Sequence, residues 1–255
     1  MQLTLEGRRA LITGGSRGLG LAMARAFTGA GARVALVARD PRALEEAAAS
    51  LPGAVPVAAD IATAEGCARA HAEAEAALGG IDVLVNNAGT SKRGPFMEVT
   101  DAEWQADLDL KLFAAVRLTR LVWTGMAERR WGRIVNVLNV GAKAPLPTGA
   151  PTAVSRAAGM SLTKVLAGEG APLGINVNAL LVGKIDSDQW VRRHAANPGG
   201  QSYEEWMEEA GKPIPMGRMG RAEEFAAMAL ALVTAPGDYV TGTAINVDGG
   251  LSPVV

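Results

Sequence analysis

A chain of 255 residues, 49% of them hydrophobic, can bury a large core within one α/β domain. A net charge of −1 and a pI near 6.2 leave no footprint for nucleic acid or for an anionic membrane. The single cysteine, Cys67, excludes an internal disulfide and reads as inert core. The opening stretch MQLTLEGRRALITGG has an arginine pair followed by three apolar residues in five, far short of a signal sequence or a spanning helix, so a soluble cytoplasmic protein is expected.

Short apolar runs then alternate with longer helical patterns to the end of the chain. Residues 10–12, 34–37, 55–57, 83–85, 134–137, 175–177 and 244–247 predict seven buried strands. Continuous apolar runs set between helices point to a parallel sheet covered on both faces. Helix starts are marked by Asp40-Pro41 before residues 42–50, by Thr63 before residues 64–78, and by Thr100 with Glu103 as a capping box before a long helix ending near Arg129. This order predicts a doubly wound α/β fold, and no charge run, repeat or low-complexity tract divides residues 1–255. Residues 188–219, rich in Trp, Glu, Gly and Pro, break the rhythm and predict an insertion over the active-site edge.

The turn Thr13-Gly14-Gly15-Ser16-Arg17-Gly18-Leu19-Gly20 follows the first strand and opens an Ala-rich helix. Glycines let the backbone approach a pyrophosphate, and the helix start supplies N–H donors. It is joined downstream by Asp60-Ile61, by Asn86-Asn87-Ala88-Gly89, by Gly132-Arg133-Ile134-Val135-Asn136 and by Asn246-Val247-Asp248-Gly249-Gly250. In this order and spacing the chain resembles the short-chain dehydrogenase/reductase (SDR) family over its whole length, within the 3-oxoacyl-ACP-reductase-like branch.

The resemblance implies a single Rossmann-type domain with a seven-stranded parallel sheet, assembled as a homotetramer or homodimer. It places Gly14, Ser16, Arg17, Gly18, Leu19 and Gly20 at the pyrophosphate, Asp60 and Ile61 at the adenine edge, and Asn87, Ala88 and Gly89 in the cofactor cleft. Gly183, Ile185 and Ser187 would pass beside the nicotinamide, in a stretch that carries Val182 and Ser187 where the family has Pro and Thr. Family members that prefer NAD end the second strand on an acid, and here Ala38 is followed by Arg39. Arg39 and Arg17 suit a 2′-phosphate, so NADP(H) is expected over NAD(H).

The family's catalytic residues are Ser, Tyr and Lys, with an Asn in the preceding long helix. The Tyr hands a proton to the carbonyl oxygen, the Lys lowers the Tyr pKa and holds the ribose, and the Ser orients the substrate. Aligned on residues 134–137, these positions are Asn139, Thr152 and Arg156, and Lys111 stands at the Asn position. The only tyrosines, Tyr203 and Tyr239, are followed four residues on by Met207 and Thr243, so no Tyr-x-x-x-Lys exists in the chain. A Thr hydroxyl is a far weaker acid than a phenol, and an Arg stays charged.

Lys111 is the one titratable replacement among the four. It either projects into the cleft beside Arg156, to bind an anionic substrate or serve as acid or base, or pairs with Asp107 one turn earlier. His71 and His194 have no partner at ligand spacing, and no metal site is expected. Trp190, Trp206, Met207 and Met216 line a substrate pocket or pack helices, with Trp190 favoured for the pocket as the nearest to Ser187.

Three functions follow from these readings. The first is an NADP(H)-dependent oxidoreductase of a small carbonyl or alcohol with an atypical site. The second is a non-redox isomerase, cyclase or lyase using the same cleft. The third is a catalytically silent partner subunit.

Overall fold

The computed structural model describes residues 3–196 and 199–255. Along the chain run β1 (Arg9–Thr13), α1 (Gly18–Gly29), β2 (Arg33–Ala38), α2 (Pro41–Ala49), β3 (Val55–Ala58), α3 (Ala64–Leu78), β4 (Val83–Asn86), α4 (Asp101–Leu108), α5 (Ala114–Glu128), β5 (Gly132–Asn139), α6 (Thr152–Gly170), β6 (Ile175–Val182), α7 (Asp188–Ala195), α8 (Tyr203–Gly211), α9 (Ala222–Val233) and β7 (Ala244–Val247). The strands form one parallel sheet in the order β3-β2-β1-β4-β5-β6-β7.

The inner strands β1, β4, β5 and β6 bury both faces along most of their length, as their unbroken apolar sequences require, while the edge strands β3 and β7 are only partly covered. One core layer packs Met23 and Phe27 of α1 with Phe225 of α9 over Ile12, Leu36 and Leu180. The opposite layer packs Cys67 and Ala70 of α3 with Leu118 and Met126 of α5 over Leu11, Leu84 and Ile134. Cys67 is fully buried there, and burial pushes its thiol up to about 11, so it is inert as expected.

The helix starts lie where their caps predict. Asp40 accepts from the amides of Arg42 and Ala43, Thr63 accepts from Gly66, and Thr100 with Glu103 forms a reciprocal capping box. The long helix predicted from Thr100 to Arg129 differs in one respect: α4 and α5 are joined by a π-helical turn over Asp109–Phe113. Lys111 lies inside that turn. Single π turns within α-helices gather at functional sites, and apolar periodicity alone does not reveal them.

Residues 188–219 carry α7 and α8, and Ile185 pairs with Gly220 outside the sheet, across the base of this segment. Among the described residues, no helix is long and apolar enough to cross a membrane.

Candidate functional site

The loops at the C-terminal edges of β1 to β6 surround a cavity of about 1250 Å³. It spans the break in strand order between β1 and β4, where adjacent crossovers leave in opposite directions and open a crevice. At one end Gly14 and Gly18 take φ of 64° and 54°, which only glycine adopts readily. A Cβ on Gly20 would lie 2.1 Å from the Gly14 carbonyl oxygen, and one on Gly14 would lie 2.9 Å from Asn87 Nδ2. Positions 14 and 20 are therefore closed to side chains. Arg17 precedes α1 in an extended conformation without a side-chain cap, so the first N–H groups of the helix are left for a ligand.

Thr13 Oγ1 accepts from the amides of Asn87 at 2.9 Å and Ala88 at 3.0 Å, and Asn87 Nδ2 donates to the Thr13 carbonyl at 2.9 Å. These bonds clamp the loop after β4 to the glycine turn. All the cofactor residues expected from sequence line the cavity except Gly20 and Ile185. Gly20 acts one layer back, by the room it leaves. The Ile185 side chain is 4% exposed and turns into the apolar core, while Gly183 and Ser187 to either side of it line the cavity.

Asn139, Thr152 and Arg156 come together on the cavity wall at the end of β5 and the start of α6. Asn139 Oδ1 is buried and has no partner among the described residues. Arg156 Nη1 donates to the Val137 carbonyl at 2.9 Å, and its other end fills space beside Gly89, where a Cβ would lie 2.4 Å from Nη2. Burial lowers this guanidinium to about 10 against the attraction of Asp107, so it stays charged at neutral pH.

Lys111 is not on the wall. Its side chain is 0% exposed and pairs with Asp107, which corrects the reading in which it projects into the cleft. It is still coupled to the cavity, because Lys111 Nζ donates to Thr152 Oγ1 at 2.7 Å. Burial pushes the ammonium down to about 8, with the charges of Arg156 and Arg93 in the same direction and the Asp107 carboxylate opposed. Ser155 Oγ donates to the second oxygen of Asp107 at 2.6 Å, and Thr152 Oγ1 donates to the Lys92 carbonyl at 2.7 Å while accepting from the Lys92 amide at 3.2 Å.

A family model described as enoyl-(acyl carrier protein) reductase matches residues 14–252. The acetoacetyl-CoA reductase of Shinella zoogloeoides is 36% identical over 247 residues, 95% of this chain and 98% of that one. The chain belongs to the short-chain dehydrogenase/reductase family. The L-sorbose reductase of Gluconobacter frateurii, solved in complex with NADPH and L-sorbose, superposes with a TM-score of 0.95 at 35% identity, covering 100% of both chains. A short-chain oxidoreductase of Pseudomonas aeruginosa PAO1, described as containing an atypical catalytic center, superposes with a TM-score of 0.93 at 34% identity, covering 99% of this chain and 100% of that one.

Within the family framework, sequence reasoning missed the role of Ser155, whose Asp107 partner lies 48 residues away in the chain. It also missed Arg93 and Arg193, which line the cavity from a loop and from α7. Nothing in their local sequence distinguishes them from solvated surface arginines. Trp190 lines the cavity as favoured, while Trp206 packs behind it with ring centroids 5.4 Å apart. Met207 and Met216 are not on the wall.

Gly20→Ala must displace the Gly14 carbonyl to fit its methyl group. Overpacking of this kind costs about 1–3 kcal/mol, to be read by denaturant unfolding. Dinucleotide affinity should fall with it, and an unchanged affinity by fluorescence titration would show that the turn is not the binding cradle.

Proposed function

We propose that the chain is an NADP(H)-dependent oxidoreductase of a small carbonyl or alcohol, in which Thr152 and Lys111 carry the proton in place of a phenol. The observation that carries this reading is the 2.7 Å bond from Lys111 Nζ to Thr152 Oγ1, which links a buried titratable ammonium to the cavity wall. The NADPH complex of the L-sorbose reductase and the atypical center of the Pseudomonas neighbour support it.

The glycine cradle fits a dinucleotide, because a Cβ at Gly14 or Gly20 would fill the room that the turn keeps clear. Gly14, Gly18 and the first turn of α1 would hold the pyrophosphate, Asp60 the adenine edge, and Arg39 with Arg17 the 2′-phosphate. Asp40 Oδ1 is held at the start of α2 by the amides of Arg42 at 3.1 Å and Ala43 at 3.3 Å, which turns this carboxylate from the part an acid plays in NAD-preferring sites. When bound, the reduced nicotinamide supplies a hydride to the carbonyl carbon.

On the protein side, Arg156 holds a fixed positive charge at the wall, and Asn139 Oδ1 accepts from a ligand hydroxyl. Thr152 Oγ1 turns its proton from the Lys92 carbonyl to the substrate oxygen and gives it up while Lys111 Nζ reloads it in the same movement, since the hydroxyl is too weak an acid to act alone. Lys111 is left as a neutral amine. That state is the one favoured by burial and by the charges of Arg156 and Arg93, and opposed by Asp107. Oxidation of an alcohol follows the reverse path. The non-redox alternative uses an oxyanion-binding cleft formed by Lys111, Asn139 and Arg156, and of these three Lys111 is buried off the wall.

Calorimetry should give a Kd for NADPH at least about tenfold below that for NADH, as one charge-assisted fork contributes that much. Equal affinities would contradict the preference. Reduction requires the protonated Lys111, so its kcat should fall as pH rises through about 8, and the oxidative kcat should rise through the same pH. Lys111→Arg keeps a charge on Asp107 but cannot release a proton, so it should remove this limb and slow reduction by about 10²- to 10⁴-fold. A limb that survives Lys111→Arg would assign the lysine a purely structural part.

A further inference from the structure

The cavity is electrically lopsided. At its nucleotide end the cations Arg17 and Arg39 are accompanied by Asp40 and Asp60. At the other end Arg93, Arg156, Lys184 and Arg193 line the wall, and no carboxylate among the described residues lines it with them. Three acids on the flanking elements are committed elsewhere. Asp107 is buried against Lys111 and Ser155, Asp186 accepts from the Tyr203 hydroxyl at 2.5 Å, and Glu103 pairs with Lys92 at 2.5 Å.

Two of the four cations are accounted for within the protein: Arg156 by the Val137 carbonyl and Lys184 by the Ala210 carbonyl at 3.1 Å. Arg93 and Arg193 form no ion pair with an acid among the described residues. Arg93 follows Lys92, whose backbone holds Thr152, and its own backbone bridges to Pro151, so it is fixed beside the proton path. Arg193 stands over the Trp190 ring at 4.9 Å, on the face of α7 that meets the cavity. The Arg193 guanidinium is lowered first by burial and then by the charge of Arg93. Two like charges held at one cavity mouth without a counter-charge favour an anion there.

We propose that the substrate carries a carboxylate or phosphate group remote from its reacting carbon, and that Arg93 and Arg193 bind this group as a pair of guanidinium forks. This rests on the reading of the cavity as an oxidoreductase substrate site. It deepens that reading by fixing the class of substrate: an oxo acid, hydroxy acid or phosphorylated ketone over a neutral sugar or simple ketone. Arg is suited to the task because its planar fork meets either oxyanion with two parallel bonds. Trp190 would keep the Arg193 fork turned to the cavity.

The test uses matched probes that differ only in charge. Short oxo acids are each paired with their methyl esters, and dihydroxyacetone phosphate is paired with dihydroxyacetone. Binding to the NADPH-loaded protein is measured by calorimetry, with NADPH oxidation followed in parallel. The charged member of at least one pair should bind at least about tenfold more tightly than its neutral partner. That ratio should collapse to near unity in the Arg93→Gln, Arg193→Gln double variant, and should weaken as salt is raised. NADPH affinity of the double variant serves as the control for folding. The acid and phosphate arms identify which oxyanion the forks prefer.

Equal binding within every pair, no binding of any charged probe, or a ratio untouched by the double variant would overturn the proposal. The two levels fail separately. Preferential binding of an anion without NADPH oxidation sustains the anion site and removes the redox reading, whereas reduction of neutral probes in preference to charged ones does the opposite.

Discussion

One buried ammonium organises the catalytic end of this protein. Lys111 Nζ pairs with Asp107 and donates to Thr152, and the second oxygen of Asp107 is taken up by Ser155. This small network joins the α4–α5 junction to the start of α6, and through Lys92 it also fixes the loop after β4. Removing a charge of either sign from such a buried pair strands the other, at a cost of about 3–5 kcal/mol. The arrangement is therefore rigid as well as titratable. A lysine free in the cleft would lack that rigidity.

The π turn at Asp109–Phe113 is the backbone side of the same constraint. It lies where the long helix passes behind the cavity wall, and it delivers Lys111 to a position from which Nζ meets both Asp107 and Thr152. Gly89 completes the fit, since any side chain there would meet the Arg156 guanidinium. Buried ion pairs contribute little net stability compared with apolar packing of the same volume. What this one provides, in the proposed function, is an exchangeable proton beside a hydroxyl on the cavity wall.

Much of this was legible in the sequence, for physical reasons that differ from element to element. Seven apolar runs and three sets of helix caps gave the sheet and its cover, because burial on both faces and capping leave local marks. The glycine turn was legible because a side chain at Gly14 or Gly20 has no room. Asn139, Thr152 and Arg156 were placed by their spacing after β5, and they do share one wall. The direction of Lys111 was not legible: Asp107 one turn before it allowed a pair, but whether the pair is buried depends on α6 packing across it. Ser155, Arg93 and Arg193 were hidden for a related reason, as their significance comes from neighbours distant in the chain. That the Ile185 side chain turns into the core was not legible either, because alternation within a loop does not say which side faces inward.

The central claim is that Lys111 holds an exchangeable proton near neutral pH while buried behind Thr152. The most direct measurement is a pH titration of the Lys111 side chain by NMR in the NADPH-loaded protein, with the signal assigned by its loss in Lys111→Arg. The account predicts a midpoint near 8. A midpoint at the ordinary 10.5 would contradict it, for a lysine that stays charged across the working range cannot reload Thr152.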